Sequence, residues 1–463
     1  MNRPEIADLF AKETVDGRFR SQLHDLVGIP TISSQPERGD DIRKGAGLVQ
    51  KYLEDIGAET KLIVTPGSPL VFGKIEGSVG SPTIGFYGHY DVQPAAMEDG
   101  WNTDPFSMVE KDEVFYGRGT ADQKGPLLSS MEGVRLALKE GLDLNYIFLA
   151  EGEEEMGSRN FRDAIDIVAG RFKADAVVVP DVGWLTESMP AVMYGLRGLV
   201  YMHWTYRTAE RDGHSGHLGG VADNPLDELM RLRQLCSYSE TGIFKIHEMY
   251  DDIREPTEEE LTEWKSLPID PETYRREHGL RRMTTPRMIT SDKLKMLQNV
   301  WAYPAMDSHG LAGGYNVRDG KKTVMPAYGQ LLVSIRIVPD QDPRKVFKEV
   351  KSFIEGKNPH VDVKAAALAR PYLGDFRGPH TMAMVDAMEE GFGIRPVRIR
   401  GGGTIGAVAD MVDVFGNIPI VMPGVEKPSY AIHGPNEHYG KDMARGVIKS
   451  VFGYLDRVSR MGK

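Results

Sequence analysis

The sequence predicts an α/β protein: a parallel-sheet domain interrupted by a smaller α+β domain. Three observations predict it. Apolar runs at 83–88 (TIGFYG), 146–150 (YIFLA) and 175–180 (DAVVVP) have the length and continuous hydrophobicity of strands buried on both faces, and a helix-period segment separates the first two. Around Tyr194 the pattern changes to the residue-by-residue alternation of half-exposed strands. At about Pro371 the first pattern returns. The expected boundaries are 1–192 and 373–463 for a domain built from both ends of the chain, and 193–372 for the insert. A length of 463 residues, more than one ordinary core needs, agrees with this division.

Taken in order, residues 41–56 (DIRKGAGLVQKYLEDI) place Ile42, Ala46, Val49, Leu53 and Ile56 on one face of a helix, with Gly57 as its C-terminal cap. In KGPLLSSMEGVRLALKEG, Pro126 suits a first helical turn and the apolar positions recur at helical spacing. Strands alternating with helices imply a parallel sheet with covered faces. In the insert, GLRGLVYMHWTYRT and the 328–339 segment YGQLLVSIRIVP alternate as strands do. A helix is expected near 224–236, a charged helical excursion near 252–266, a helix over RKVFKEVKSFIEG and a strand over VDVKAAALA. These predict a small open sheet with helices on one face. The run IPIVMP at 418–423 and the closing helix ARGVIKSVFGYLDRVSRM complete the first domain.

Apolar residues at 41% and charged residues at 27% are the balance of an ordinary globular protein. No apolar run approaches the length of a bilayer, and the opening MNRPEIADLF lacks the basic head and apolar stretch of a secretory signal. A cytoplasmic protein with no membrane partner is expected. A formal charge of −11 with no basic stripe argues against a nucleic-acid partner. The lone Cys236, among the leucines of NPLDELMRLRQLC, has no internal disulfide partner and is expected in the core.

In open parallel sheets, ligands gather beyond the carboxyl ends of the strands. The residues after each apolar run are of one chemical kind. His89 and Asp91 follow TIGFYG, the cluster Glu151, Glu153, Glu154 and Glu155 follows YIFLA, and Asp181 follows DAVVVP. Asp122 precedes a helix in YGRGTADQKGP, and His433 follows the last apolar run in YAIHGPNEH. Taken singly, each has an ordinary explanation: a structural histidine, a solvated acidic face, an aspartate capping a helix. Recurrence at successive strand ends outweighs those explanations, because so many carboxylates in one crevice would repel one another strongly without cations. Mixed nitrogen and oxygen donors suit zinc, cobalt or manganese. The glycine-rich GGGTIG lacks the lysine of a phosphate loop and the spacing of a dinucleotide fingerprint, and is read as a loop passing close to substrate.

The segments GHYDVQP, GRGTADQKGP, EGEEEMGS, PDVGW, GLRG, HSGHLGG, TVMP, SIRIVP and the late His433 together resemble the two-metal amidohydrolase family that includes carnosinase and cytosolic non-specific dipeptidase. Wider relatives are carboxypeptidase G, aminoacylase, acetylornithine deacetylase and succinyl-diaminopimelate desuccinylase. The resemblance runs in the family's order along the chain and is nearest the dipeptidase branch. It implies a di-metal exopeptidase domain with a ferredoxin-like lid and dimerisation domain, working as a homodimer. It also implies two divalent ions per subunit, zinc or manganese with cobalt as a further option. His89 and Asp181 would hold one ion, Glu155 and His433 the other, and Asp122 would bridge both.

The same resemblance implies the remaining roles. Asp91 would orient the His89 imidazole, and Glu154 would be the general base, the register being set by Glu-Glu-x-Gly-Ser. His214 would hydrogen-bond the developing oxyanion, reaching the other subunit's site in a dimer, and Arg336 would clamp the substrate's free carboxylate. Thr323 and Thr404 align with substrate-contacting hydroxyls. His217 reads as a lid residue and His309 as structural. Glu153 departs from an often apolar position, and RGGGTIG departs at Gly401 and Thr404 from the acidic, serine-containing form common in these dipeptidases.

The implied reaction is hydrolysis of the peptide bond of dipeptides or other small unblocked peptides. Asp rather than Glu at 181 is the choice that accompanies aminopeptidase and dipeptidase members. An N-acyl amino-acid hydrolase or a carboxypeptidase of the same chemistry is the alternative, kept open by the loop at Thr404. A metal-free scaffold would predict a broken ligand set, whereas all five candidate ligands and the base are present.

Overall fold

The computed structural model describes residues 2–170, 173–238, 242–277, 279–281, 292–315, 320–416 and 418–461. The chain divides into two compact units, Met1–Tyr194 with Gly374–Ile399 and Ile405–Lys463, and Gly195–Leu373 with Arg400–Thr404. Among the described residues no helix is long and apolar enough to cross a membrane.

In the first unit, α1 (Gly39–Glu54) buries Ile42, Ala46, Val49 and Leu53, and Gly57 after it takes φ +96°, a left-handed conformation that glycine adopts without a Cβ penalty. There follow β1 (Glu59–Ile63), β2 (Leu70–Ile75), β3 (Thr83–His89), α2 (Lys124–Lys139), β4 (Asn145–Glu151), β5 (Ala176–Val178) and β6 (Ala191–Leu196), the last two residues of which are counted with the second unit. β3 pairs in parallel with β4 and with β5. The sheet is not parallel throughout, however: β2 runs antiparallel to β4, and β1 antiparallel to β2. The connection VTPGSP between β1 and β2 is long enough for a hairpin and far too short for a parallel crossover.

The second unit contains β7 (Gly198–Arg207), α3 (Pro225–Cys236), β8 (Ala305–Ala312), β9 (Tyr328–Ile337), α4 (Pro343–Lys357) and β10 (Val361–Ala369). The alternation seen in the sequence is the pleat itself: Val200, Met202, Trp204 and Tyr206 of β7, with Leu331, Val333, Ile335 and Ile337 of β9, point to one core. Leu229, Leu232 and Cys236 of α3 and Val346, Val350 and Ile354 of α4 close that core. The sheet order β8-β9-β7-β10 is antiparallel throughout, so the β-α-β-β-α-β chain forms a ferredoxin-like sheet.

The charged excursion is shorter than expected, a helix over Glu258–Ser266. Pro256 disfavours helix in the residue before it, and the Thr257–Glu260 capping box sets the start. The loop Arg400–Thr404, which pattern alone assigned to 373–463, groups with this unit. The buried Arg400 guanidinium forks onto Glu260 through Nε at 2.9 Å and Nη2 at 2.7 Å, a tie between residues far apart in sequence.

Back in the first unit, α5 (Pro379–Phe392), β11 (Ile420–Glu426) and α6 (Lys441–Val458) complete the fold. β11 is parallel to β5 and antiparallel to β6, giving the order β1-β2-β4-β3-β5-β11-β6. Leu127, Leu128, Met131 and Val134 of α2 share a core with Val447, Ile448, Val451 and Phe452 of α6. Because β4, β3, β5 and β11 run the same way, their carboxyl ends lie along one edge. That edge carries the candidate chemistry.

Candidate metal centre

His89 ends β3 and is completely buried, Asp122 stands just ahead of α2, Glu154 and Glu155 begin a short turn after β4, Asp181 follows β5, and His433 lies in the loop after β11. The fold brings all five expected ligands together in two groups that share Asp122. In the groups His89–Asp122–Asp181 and Asp122–Glu155–His433, the ligand atoms lie within 4.8 Å of one another. Asp122 divides its oxygens between them, with Oδ1 3.0 Å from His89 Nε2 and Oδ2 2.9 Å from His433 Nε2. Asp181 Oδ1 is 3.6 Å from the first nitrogen, and Glu155 Oε2 is 3.3 Å from the second.

His89 Nε2 tests whether a cation fits. It is buried and makes no hydrogen bond although a carboxylate oxygen is 3.0 Å away, so the approach is not that of a donor to an acceptor. Its Nδ1 lies 3.1 Å from the Asp91 carbonyl, which takes the ring proton and leaves Nε2 as the ligand atom. One imidazole and two carboxylates per group is a donor set that divalent ions accept.

The electrostatics agree. Burial lowers the proton affinity of His89, but Asp122, Asp181 and Asp91 outweigh it and hold its pKa well above the usual value. Asp122 and Glu155 lift His433 to about 10. Burial opposes charge on Asp122, yet His433 and His89 hold it below the ordinary carboxylate range. The carboxylates therefore demand positive charge at these nitrogens. Glu154 is pushed well above the usual range by burial and by Asp181, Asp122 and Glu155, against the pull of His89. A carboxylate so placed binds a proton readily.

The structure enlarges the role of Asp91. Its carboxylate is 3.4 Å from His89 Nδ1, and its two oxygens also accept the backbone N–H groups of Glu154 and Glu155, each at 3.2 Å. It thus ties the β3 end to the turn after β4. Two supports escaped sequence reading. Gln93 donates Nε2 to Glu155 Oε2 at 2.8 Å. Gln123 accepts the His89 N–H at 2.7 Å and donates to the Pro180 carbonyl at 2.8 Å, bracing two ligand segments.

Glu426 also went unnoticed, although it ends β11 as His89 ends β3, and the strand-end rule would have found it. Burial, then Asp122 and Asp181, push its pKa well above the usual range. The other glutamates of EGEEE serve the fold. Glu151 accepts the Tyr87 and Ser158 hydroxyls, and Glu153 accepts Ser68 N–H and both Asn160 nitrogens. These bonds explain the carboxylate at the often apolar position 153.

The other expected site residues belong to the second unit. His214 accepts Gly216 N–H at Nδ1, 3.0 Å, which leaves Nε2 as the N–H donor of an exposed ring. Thr323 stands beside it, since its carbonyl accepts Ser215 N–H at 3.2 Å and His214 pairs with Val324. Arg336 donates Nη1 to Thr404 Oγ1 at 2.6 Å, and that hydroxyl donates to the Arg197 carbonyl at 2.6 Å. Thr404 is therefore engaged in fixing a guanidinium rather than standing open as a lone hydroxyl.

Residues 85–456 match peptidase family M20/M25/M40. The Beta-Ala-His dipeptidase of Rattus norvegicus is 31% identical over 428 residues, covering 88% of this chain and 86% of that protein. Among solved structures, human carnosine dipeptidase 1 superposes with a TM-score of 0.86 at 26% identity, covering 100% of both chains. The M20 family metallo-carboxypeptidase of Sulfolobus solfataricus superposes at 0.88 with 28% identity, covering 95% of this chain and 99% of that one.

Proposed function

The chain belongs to peptidase family M20/M25/M40, and from that membership we propose that it is a metal-dependent hydrolase of the peptide bond in dipeptides and other small unblocked peptides. The observation that carries the reading is Asp122, whose two oxygens face His89 and His433, each backed by a further carboxylate. His89, Asp122 and Asp181 hold one divalent ion, and Asp122, Glu155 and His433 hold the other. Zinc or manganese is the expected metal, and cobalt suits the same donors. The chemistry such a pair supplies when bound is polarisation of the scissile carbonyl and activation of water.

Glu154 takes a proton from the attacking water at its carboxylate and returns it to the departing amine nitrogen; its raised proton affinity supports that role. Asp91 keeps base and ligands in register through the Glu154 and Glu155 amides. Arg336, steadied by Thr404, clamps the substrate's free carboxylate with its planar fork. His214 Nε2 donates to the developing oxyanion, and Thr323 beside it contacts substrate. The active form is a homodimer through the second unit. Supporting this, β10 is a sheet edge whose Ala365, Ala366, Ala367 and Leu368 are exposed. A cytoplasmic location belongs to the same reading, and the single buried Cys236 is compatible with a reducing compartment.

The glycine at 401 and the likeness to the metallo-carboxypeptidase favour a second reading, an N-acyl amino-acid hydrolase or carboxypeptidase. A panel of unblocked dipeptides and N-acetyl amino acids, assayed with added zinc or manganese, separates the two. Cleavage of unblocked dipeptides is expected, and activity confined to the acylated compounds overturns the reading.

A further inference from the structure

YAIHGPNEH gives the centre His433, and the residues after it also reach ligand-bearing segments. Glu437 is completely buried, and its carboxylate receives all its donors from one loop. Oε1 accepts the N–H groups of Ala121 at 2.9 Å and Asp122 at 3.0 Å, while Oε2 accepts Gly119 N–H at 3.0 Å and Arg118 Nη1 at 2.7 Å. The Glu437 carbonyl accepts Gly117 N–H at 3.0 Å. Arg118 completes the circle by donating Nη2 to the Gly434 carbonyl at 3.1 Å, beside His433. Asn436 grips a different loop, accepting Asn102 N–H at 2.8 Å and donating to the Gly100 carbonyl at 3.3 Å.

An ionised carboxylate in a dry interior is costly unless every oxygen is satisfied, and an apolar side chain would fill the same volume without that cost. What the carboxylate adds is position. One of the amides it holds is that of Asp122, the ligand common to both groups, and Glu437 lies one short turn of chain beyond His433. A single side chain thus sets the distance between the shared ligand and the ligand from the C-terminal segment.

Resting on the metal-centre reading above, we propose that Glu437 is a positioning residue. It presets the Asp122–Glu155–His433 group, and its loss weakens cation binding beyond what loss of stability explains. Groups that hold metal ligands in place typically change affinity or activity about 10- to 100-fold when removed.

E437Q keeps the size of the side chain but turns an amide N–H₂ toward N–H donors. N436A releases the neighbouring loop without touching the Asp122 amide. E132Q disrupts another buried carboxylate, which pairs with Arg18 and Arg135. The metal-free proteins are titrated with zinc against a chelator of known affinity. The visible spectrum of the cobalt-loaded forms and the thermal melts of the metal-free forms are recorded alongside.

E437Q is expected to bind at least one ion about 10- to 100-fold more weakly, with an altered cobalt spectrum, while N436A and E132Q keep wild-type affinity. Wild-type affinity and spectrum in E437Q overturn the proposal however far its melting temperature falls. An equal loss in N436A overturns it too, because general loosening then explains both. Fewer than two ions bound by the wild type sinks the functional reading instead. If E437Q does not fold, E437D, with its carboxylate withdrawn by one methylene, carries the same outcomes.

Discussion

His89 and His433 owe their raised proton affinity to the carboxylates around them. In the protein without cations they hold the His89 pKa well above the usual value and lift that of His433 to about 10. A metal ligand must be neutral imidazole, and cation and proton compete for the same Nε2. Loading the centre is therefore expected to release protons, with affinity falling as pH drops. Calorimetric titrations in buffers of different ionisation enthalpy measure this, and binding without proton release contradicts it. Glu154→Gln is expected to keep the metal content and lower turnover roughly 10²- to 10⁴-fold; a fully active variant rules Glu154 out as the base. The clustering of the five candidate ligands beside Glu154 was legible because each follows a strand end or opens a helix in a recognisable motif. Gln93, Gln123 and Glu437 were not, since their partners are mostly backbone groups far away in sequence, which residue patterns do not encode.

At the scale of elements, the parallel strands and amphipathic helices stand out because burial on both faces, or on one, leaves its period in the sequence. The antiparallel β1–β2 edge was hidden: LVFGKI and ETKLI carry no signal for strand direction, and only the short connection decides it. The pairing of α2 with α6 is similarly invisible in either helix alone. A Cβ at Gly133 would come within 2.6 Å of the Val451 Cβ. Gly133→Ala should gain up to about 1 kcal/mol in helix propensity yet lose about 1–3 kcal/mol to overpacking. A net fall in denaturation midpoint is expected, and a variant as stable as the wild type would show the two helices to be further apart.

For the whole molecule, both ends of the chain build one unit, and that unit holds all five candidate ligands, while the second unit holds none. Ligand binding stabilises only the structure that forms the site. Chelation should therefore lower the unfolding temperature of the first unit in scanning calorimetry and leave the second transition in place; equal shifts in both would contradict the assignment of ligands to units. The discontinuous layout was readable because the parallel-type pattern resumes near Pro371. The grouping of Arg400–Thr404 with the insert was not, because it depends on the buried Arg400–Glu260 pair rather than on periodicity. Anomalous diffraction at the zinc edge from metal-loaded crystals tests the central claim most directly. Two peaks are expected, one beside each oxygen of Asp122, with His89 and Asp181 around the first and Glu155 and His433 around the second. A single peak, or peaks away from Asp122, would contradict it.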